Sequence, residues 1–403
     1  MIHLIELSLI VLGLALLVPS VVFFVECIAA IVPPHGEPHH EPTDVAPGVA
    51  PRAVVLIPAN DEATMLGRTL GELARELGPK DRILVVADNC TDDTAEIARE
   101  AGADVLERRS PTHRGKGFAL DAGIAYLAAD PPDVVVVLDA DCRVDPGSVR
   151  RLTRCAIAHR GPVQAEDLLT VPDRATPLAL VSALAFMVRN HVRPMGLRRL
   201  GLPCHLMGTG MAFPWDVILA APEAGSHLAE DMQMGIELTS LGFPPLFCQG
   251  ARITSASPKR ASATRGQRRR WEYGHLSTLI HRAPKLIGRG IVERKPNLLA
   301  MGLDLAVPPL ALLVTLLLAG MTASLPLWLT GHSALPMALF SDALGIVLLA
   351  VFGSWFKFGR TTFPARYLFM IPLYVAWKIP LYLSFPLRRH YTWERAERSA
   401  SGF

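Results

Sequence analysis

The sequence predicts an α/β fold with a mostly parallel central sheet, flanked at both ends of the chain by apolar helices that could cross a membrane. Apolar runs of strand length alternate with segments of helical spacing through the middle of the chain, as in parallel sheets covered on both faces. Of the 403 residues, 50% are hydrophobic and 19% are charged. The charged residues concentrate between about residues 51 and 295, so the two ends are far more apolar than the middle.

Residues 1–30 are predicted to form one transmembrane helix. Leu7–Val25 contains no charged residue and approaches the roughly 20 residues that a membrane-spanning helix needs. A cleaved signal peptide is the alternative, but no basic segment precedes the apolar run. Residues 31–50 contain the stretch PPHGEPHHEPTDVAPG, which is typical of a flexible Pro-rich linker.

Residues 51–275 are predicted to form the α/β domain. Ligands of open parallel sheets bind beyond the carboxyl ends of the strands. This rule assigns function to three loops, Ala59–Glu62, Asp88–Thr91 and Asp139–Asp141. No G-x-G-x-x-G follows the first strand, which argues against a nicotinamide-binding unit. The predicted strands are residues 52–58, 82–87, 103–106 and 134–138, and the predicted helices are residues 62–77, 92–101, 117–128 and 146–159.

The three strand-end loops carry acidic or amide side chains, which suit hydroxyl groups, the amide edge of a base such as uracil, and a hard cation. Asp139 and Asp141 stand two residues apart at the end of a strand, so both side chains can face one point. Oxygen ligands select Mg²⁺ or Mn²⁺, either of which would bridge a diphosphate. The alternative is that the two acids simply end a buried strand in solvent.

Three further stretches carry candidate chemistry, each with a structural alternative. Glu230 and Asp231 begin a predicted helix, where a carboxylate acts as a general base or interacts with the helix dipole. RGQRRRW, residues 265–271, offers an arginine for a leaving diphosphate and a tryptophan for a sugar ring, or else a basic patch beside a membrane. HRGKG, residues 113–117, either contacts phosphate or is a plain loop.

Together these stretches resemble family 2 glycosyltransferases of the membrane-bound kind, related to the cellulose, chitin and hyaluronan synthases and to ceramide glucosyltransferase. The resemblance runs from residue 53 to 274 through PANDE, VVADNCTDDT, RGKG, LDADC, GTGMAF, AED and QRRRW, in that order. It implies a GT-A fold that binds a nucleotide sugar, usually a UDP-sugar. The departure lies in ANDE, where Asp61 replaces the asparagine common in the family, so no role is predicted for Asp61.

The resemblance also implies roles for the residues that match the family motifs. Asp231 would deprotonate the acceptor hydroxyl, and Asp141 would coordinate Mg²⁺ or Mn²⁺. Residues implied to bind the nucleotide sugar are Glu62 and Asp88 at the uridine, Asp139 near the ribose and diphosphate, and Lys116 at phosphate. The Q-x-x-R-W signature supplies three catalytic residues: Gln267, Arg270 at the leaving diphosphate, and Trp271, which would also line the acceptor channel. The other residues predicted to bind the acceptor are Gly208, Thr209, Gly210 and Glu230.

The predicted function is therefore a membrane-bound inverting glycosyltransferase. It would move a hexose or N-acetylhexosamine from a UDP-sugar to a lipid or lipid-linked saccharide, in polysaccharide or glycolipid biosynthesis. The alternatives are a processive polysaccharide synthase and a non-catalytic, nucleotide-sugar-binding subunit of a membrane complex. The expected partners include components of a polysaccharide export or assembly complex. The net charge of +3 gives no sign of nucleic-acid binding, and the six cysteines form no zinc motif.

The C-terminal part is predicted to associate with the membrane. Residues 276–300 read as an interfacial amphipathic segment, residues 301–390 as two to three transmembrane or re-entrant helices, and residues 391–403 as a basic tail. The positive-inside rule places the middle domain on the cytoplasmic face of what we expect to be a bacterial inner membrane. Three full crossings would place the basic tail on the opposite side, so the side of the C-terminus stays open.

Overall fold

The computed structural model describes residues 2–32, 51–170, 176–223, 225, 230–256 and 261–385, with only the backbone for residues 256 and 261–271. The chain folds as two compact units. Among the described residues, those of the sheet unit fall within 51–170 and 202–268, and those of the helical unit fall within 2–32, 176–201 and 269–385. The predicted Pro-rich linker and basic tail lie almost entirely outside the described residues.

The sheet unit contains a mixed sheet whose strands run mostly parallel, as predicted. Its strands are β1 (Ala53–Ala59), β2 (Arg82–Asp88), β3 (Asp104–Arg108), β4 (Val134–Val137), β5 (Cys142–Val144), β6 (Val163–Thr170), β7 (Met211–Pro214) and β8 (Leu246–Ala256). Their spatial order is β3-β2-β1-β4-β7-β6-β8-β5. The first four strands in this order are parallel, β7 is antiparallel to β4 and β6, and β5 is antiparallel to β8.

Helices cover both faces of the sheet and form the whole helical unit. In chain order they are α1 (Ile2–Ile31), α2 (Ala63–Leu73), α3 (Thr94–Glu100), α4 (Lys116–Leu127), α5 (Ser148–His159), α6 (Pro177–Met187), α7 (Arg193–Arg199), α8 (Trp215–Ala220), α9 (Glu230–Ser240), α10 (Ala261–Val292), α11 (Pro296–Leu305), α12 (Leu310–Leu329), α13 (Leu335–Ser354) and α14 (Ile371–Ser384). One turn of π-helix, residues 188–192, joins α6 to α7.

The core of the sheet unit explains why its central strands are continuous apolar runs. Alternate residues of β4 point to opposite faces, so Val134 and Val136 join the core under α2 and α5, whereas Val135 and Val137 join the core under α4, α8 and α9. All of these valines are buried. A strand covered on both faces has no solvent side, and a polar residue at any of its positions would lose hydration.

The strand register brings the predicted loops to one edge of the sheet. Ala59 at the end of β1 is paired with Ala87 of β2, and Leu56 is paired with Val137 of β4. Because these three strands are parallel, their carboxyl ends and the acidic loops that follow them share that edge. This is the arrangement predicted from the alternating sequence pattern.

Four described helical segments are long and apolar enough to cross a membrane. They are Ile2–Ile31, Leu310–Leu329, Leu335–Gly359 and Ala365–Ser384. A short turn separates the second and third of these segments, since α12 ends at Leu329 and α13 begins at Leu335.

The helical unit contains a buried charge cluster that joins three helices. The guanidinium of Arg193 on α7 donates from Nε to Glu26 Oε2 of α1 at 2.6 Å. It also donates from Nη2 to the carboxylate and to the carbonyl oxygen of Asp304 at the end of α11. All three residues are buried, so the two acids neutralise a charge that water does not reach.

Two further contacts attach α7 to the last turns of α1. Arg199 donates from Nη1 to the carbonyl oxygens of Ala29, Ala30 and Val32, which a helix C-terminus leaves without intrahelical donors. Gly196 packs so closely that a Cβ at this position would lie 1.8 Å from the carbonyl oxygen of Glu26.

Candidate active site

Lys116 connects three of the predicted motifs at the carboxyl edge of the sheet. Its ammonium group, on the first residue of α4, donates to Asp139 Oδ1 at 2.5 Å and to the carbonyl oxygen of Gly208 at 2.5 Å. The HRGKG loop, the Asp-Ala-Asp loop and the Gly-Thr-Gly loop thus meet at one amine. Sequence reasoning assigned Lys116 to phosphate, and its pairing with Asp139 appears only in the structure.

The Gly-Thr-Gly loop runs beside the end of β4. Thr209 Oγ1 accepts a hydrogen bond from the amide of Asp139 at 3.1 Å, and the amide of Gly210 donates to Val137 O at 2.9 Å. Gly208 and Gly210 have φ angles of +88° and +67°, in the left-handed region that favours glycine. The loop therefore aligns the backbone at the first acid of the motif.

Asp231 lies beside Lys116 across this loop. A Cβ added at Gly208 would lie 3.1 Å from Asp231 Oδ2 and 3.4 Å from Lys116 Nζ. The absence of a side chain at position 208 is what lets the two charged groups approach the same backbone. The structure therefore brings together Lys116, Asp139, Gly208, Thr209 and Asp231, which the sequence placed in separate motifs.

Gln164 on β6 is a residue of this site that sequence reasoning missed. Its buried side chain donates from Nε2 to the carbonyl oxygen of Thr209 at 2.8 Å and accepts from the amide of Met207 at 2.8 Å. It thereby satisfies two backbone groups of the Gly-Thr-Gly loop. No local signal identifies Gln164, because the strand that carries it is polar and pairs only with distant segments.

Asp139 and Asp141 can hold a cation. Ligand atoms of Asp139, Asp141 and Cys142 all lie within 4.8 Å of one another. Burial, together with the negative charges of Asp139 and Asp141, raises the pKa of the Cys142 thiol well above its usual range, so the thiol stays protonated. Hard divalent cations prefer oxygen ligands to a thiol, so the two carboxylates are the expected donors. Such oxygen donors fit Mg²⁺ or Mn²⁺.

Glu230 and Asp231 open α9 as an interacting acidic pair. Burial, and then the negative charge of Asp231, raise the pKa of Glu230 to about 7, while Lys116 opposes the increase. Burial disfavours the charged form of Lys116, but Asp139, Glu230 and Asp231 outweigh it and raise the lysine pKa above its ordinary value. The lysine therefore stays charged, and carboxylates outnumber it at this edge, which favours a bound cation.

Asp88 at the end of β2 is buried and held in one orientation. Its Oδ1 accepts from Arg108 Nη1 at 2.5 Å and from Asn89 Nδ2 at 2.9 Å. Arg108 also donates to the carbonyl oxygen of His113 at 2.7 Å, so it connects Asp88 to the loop that precedes Lys116. Arg108 was not predicted as a site residue, although its place at the end of β3 puts it at the same edge.

The neighbouring loop explains the departure at Asp61. Asp61 adopts a φ of +52°, and its carboxylate accepts from the amide of Thr91 at 2.5 Å. The next residue, Glu62, donates from its amide to Thr94 Oγ1 at 2.8 Å. Asp61 thus joins the loops after β1 and β2, and these bonds place Glu62 at the strand-end edge.

The Q-x-x-R-W signature lies in α10. The side chains of Gln267, Arg270 and Trp271 are outside the described residues, so the roles predicted for them remain predictions. Glu272, the next residue, is described and belongs to the helical unit.

Comparison with known proteins relates the sheet unit to sugar-transferring enzymes. The chain is 26% identical over 252 residues to the probable glucomannan 4-beta-mannosyltransferase 10 of Arabidopsis thaliana, a match covering 56% of this chain and 43% of the relative. It is 37% identical over 100 residues to an uncharacterized protein of Methanocaldococcus jannaschii, a match covering 25% of this chain and 40% of the relative. The chain thus spans about two fifths of the length of these curated relatives.

A solved structure supports the same fold. The mannosyltransferase PcManGT from Pyrobaculum calidifontis, in complex with GDP-Man and Mn²⁺, aligns with a TM-score of 0.53 at 20% identity. The alignment covers 87% of this chain and 99% of that protein, and it agrees with the predicted GT-A fold. The family model described as "Glycosyltransferase like family 2" matches residues 51–274, more than half of the chain. On this match, the protein belongs to the family 2-like glycosyltransferases.

Proposed function

We propose that the protein is a membrane-bound inverting glycosyltransferase. In this proposal it transfers a hexose or N-acetylhexosamine from a UDP-sugar to a lipid or lipid-linked saccharide acceptor. The proposal is carried by one observation: Lys116, Asp139 and Asp231 lie together around Gly208. Asp139 also forms, with Asp141, the pair of carboxylates that can hold a cation. This arrangement supplies a base and a diphosphate-binding group at one strand edge.

The proposed reaction is a single displacement at the anomeric carbon of the donor sugar. Asp231 accepts the proton of the acceptor hydroxyl as its oxygen attacks, and the nucleoside diphosphate leaves from the opposite face. One displacement inverts the anomeric configuration. Lys116 keeps Asp139 oriented and places a positive charge where the diphosphate develops negative charge.

The remaining predicted site residues complete this scheme. Asp139 and Asp141 would hold Mg²⁺ or Mn²⁺, and the bound cation would offset the negative charge of the diphosphate. Glu62 and Asp88 contact the uridine. Arg270, with Gln267, grips the leaving diphosphate, and Trp271 lines the acceptor channel with Gly208, Thr209, Gly210 and Glu230.

The nucleotide of the donor sugar is proposed from the residues expected to bind its nucleobase. The buried carboxylate of Asp88 suits the imide N–H of uracil, and a guanine base presents N–H donors as well. The names of the Arabidopsis relative and of PcManGT make mannose a sugar to test, so a donor panel should contain GDP-mannose beside the UDP-sugars. Turnover of GDP-mannose alone would change the proposed donor and leave the proposed reaction intact.

The acceptor and location are proposed from the apolar helices. We propose that residues 51–275 form the catalytic domain on the cytoplasmic face of a bacterial inner membrane, anchored by residues 1–30 and 301–390. A lipid or lipid-linked acceptor fits a catalytic domain held at that surface by four candidate spans. Single addition and processive synthesis differ in product length, which gel electrophoresis of the labelled product reports.

The test is turnover of the donor panel by purified protein with Mn²⁺ and membrane lipid. We expect Asp231→Asn to lower kcat by about 10²–10⁴-fold, because the variant loses its general base. Removal of divalent cations with a chelator should also stop turnover. Asp216→Asn, a change at an exposed acid of α8, is the matched control and should keep wild-type activity. An Asp231→Asn rate within about tenfold of wild type would exclude Asp231 as the base.

A further inference from the structure

Glu272 and Lys378 form an ion pair inside the helical unit. Glu272 lies on α10 directly after Trp271, and Lys378 lies in the apolar segment Ala365–Ser384, a candidate membrane span. The ammonium of Lys378 bonds to Glu272 Oε1, and the hydroxyl of Tyr382 donates to Glu272 Oε2 at 3.1 Å. The side chain of Lys378 is only 5% exposed, so Glu272 and not water is the group that offsets its desolvation.

The next residue of α10 is attached to the same helix. The hydroxyl of Tyr273 donates to the carbonyl oxygen of Leu381 at 3.0 Å and lies 2.6 Å from Ser384 Oγ. The Tyr273 ring also packs edge-on against Phe385 with centroids 5.2 Å apart. Two consecutive residues of α10 therefore bind the last two turns of α14, and we call these contacts the α10–α14 latch.

The chemistry of the latch indicates that it fixes the orientation of α10 against α14, in addition to stabilising the contact between the two helices. A lysine in an apolar, membrane-length helix is costly to bury, and such residues are rare outside functional positions. Apolar side chains of similar volume would hold two helices together at least as well. In this pair Lys378 and Tyr382 bond the two oxygens of one carboxylate, which restricts the rotation of α10 about its axis more than a single contact would.

We propose that Glu272 and Lys378 are positioning residues for the Q-x-x-R-W motif. Arg270 and Trp271 immediately precede Glu272 on one continuous helix. Because successive helical residues advance by about 100°, holding Glu272 and Tyr273 against α14 sets the rotation of the backbone that carries Arg270 and Trp271. This inference rests on the proposed function for the roles of those two residues. The last apolar segment thus aligns the motif, in addition to any role in anchoring.

The test compares four variants of the full-length protein. Lys378→Met and Glu272→Gln each break the pair, and the double variant Glu272→Lys with Lys378→Glu restores it in reverse. Lys285→Met, at an exposed lysine of the same helix α10, is the matched control. Lys378→Met and Glu272→Gln should lower kcat by at least about tenfold, because a small misplacement of a catalytic group is enough for such a loss.

The accompanying measurements separate positioning from a general loss of folding. UDP binding in the presence of Mn²⁺, measured by calorimetry, should stay within about threefold of wild type in every variant, because Asp139, Asp141 and Asp88 are untouched. The reversed pair should recover most of the lost kcat. If kcat is unchanged in Lys378→Met, or if kcat and UDP binding fall together in every pair variant including the reversed one, the proposal is wrong.

Hydrogen exchange tests the latch without any substrate. Peptides covering residues 268–276 should exchange at least about tenfold faster in Lys378→Met than in wild type or Lys285→Met, since Glu272 then loses its charged partner on α14. Unchanged exchange would overturn the latch. Because exchange needs no donor or acceptor, it distinguishes failure of the latch from failure of the proposed glycosyl transfer.

Discussion

At the scale of single residues, Lys116 organises the candidate site. Its ammonium contacts the carboxylate of Asp139 and the backbone of Gly208, and it faces the acids at the start of α9. The lysine of the HRGKG loop, predicted to bind the nucleotide sugar, thus also balances the charge of the carboxylates around it. The two acids of Asp-Ala-Asp consequently have different surroundings, because it is Asp139 that binds the lysine.

Glu230 makes the stability of the protein depend on pH. Its pKa is raised from 4.5 to about 7 by burial and by Asp231. Between these two values the unfolded chain has lost this proton and the folded chain keeps it. The stabilising contribution is therefore complete below the unfolded pKa and is lost as the pH rises through the folded pKa.

Glu230→Gln should remove this dependence, since glutamine resembles the protonated acid and does not titrate. Relative to wild type, the Tm of the variant should rise as the pH increases from the unfolded to the folded pKa, and then level off. Thermal unfolding in detergent, with a chelator and without nucleotide, measures the difference. Asp216→Asn serves as control, and a Tm difference between Glu230→Gln and wild type that stays constant with pH would contradict the assignment.

At the scale of elements, some strands of the sheet are predictable from local sequence pattern, whereas others form only because distant segments pair with them. The parallel strands β1, β2, β3 and β4 were predicted because each is a short apolar run followed by a helix. The antiparallel strand β7 has only four residues, and β6 carries Gln164, Glu166 and Asp167. Such segments become strands because neighbours far along the chain pair with them, so periodicity alone does not reveal them.

The contact between α7 and α1 depends on the absence of a side chain at Gly196. Gly196→Ala should destabilise the helical unit by about 1–3 kcal/mol or more, because the added methyl group overlaps the carbonyl oxygen of Glu26. Gly288→Ala on α10 is the matched control, since a Cβ there meets nothing within 4 Å. Thermal unfolding in detergent measures both, and an equal Tm for the two variants would show that the close contact is absent in solution.

At the scale of the whole molecule, the arrangement of charge predicts its orientation in a membrane. Lys285, Arg289, Arg294 and Lys295 cluster near the end of α10, ahead of the apolar segments that begin at Leu310. Basic residues beside membrane spans remain on the cytoplasmic side. We therefore expect the sheet unit on that side and the turn between α12 and α13 on the other.

Cysteine labelling checks this orientation. Cys90 is partly exposed and the other five cysteines are buried, so Cys90→Ser provides a background of low reactivity. In that background a membrane-impermeant maleimide should label Ala129→Cys in inside-out vesicles only. It should label His332→Cys, in the exposed turn after α12, in intact spheroplasts. The opposite pattern would invert the proposed topology.

Local sequence is sufficient to predict the class of fold, the apolar ends of the chain and the set of candidate site motifs. Those properties are local. The run Val134–Val137 is apolar because both of its faces are covered, and Asp139 and Asp141 follow it directly. Residues 51–274, which match a glycosyltransferase family model, contain these ordered stretches. The positions of Glu62, Asp88 and Asp139 at one edge also follow from parallel strands alone.

Which side chains contact one another, by contrast, follows from tertiary packing. Lys116 meets Asp139 and Gly208, Gln164 holds the loop at Thr209, and Glu272 pairs with Lys378. Each contact joins segments far apart in the chain, and its energy depends on burial that arises after those segments have packed. A sequence does not show whether a charged or amide side chain is surrounded by water or by a protein partner in the folded chain. The desolvation that makes these contacts specific is a property of the folded chain.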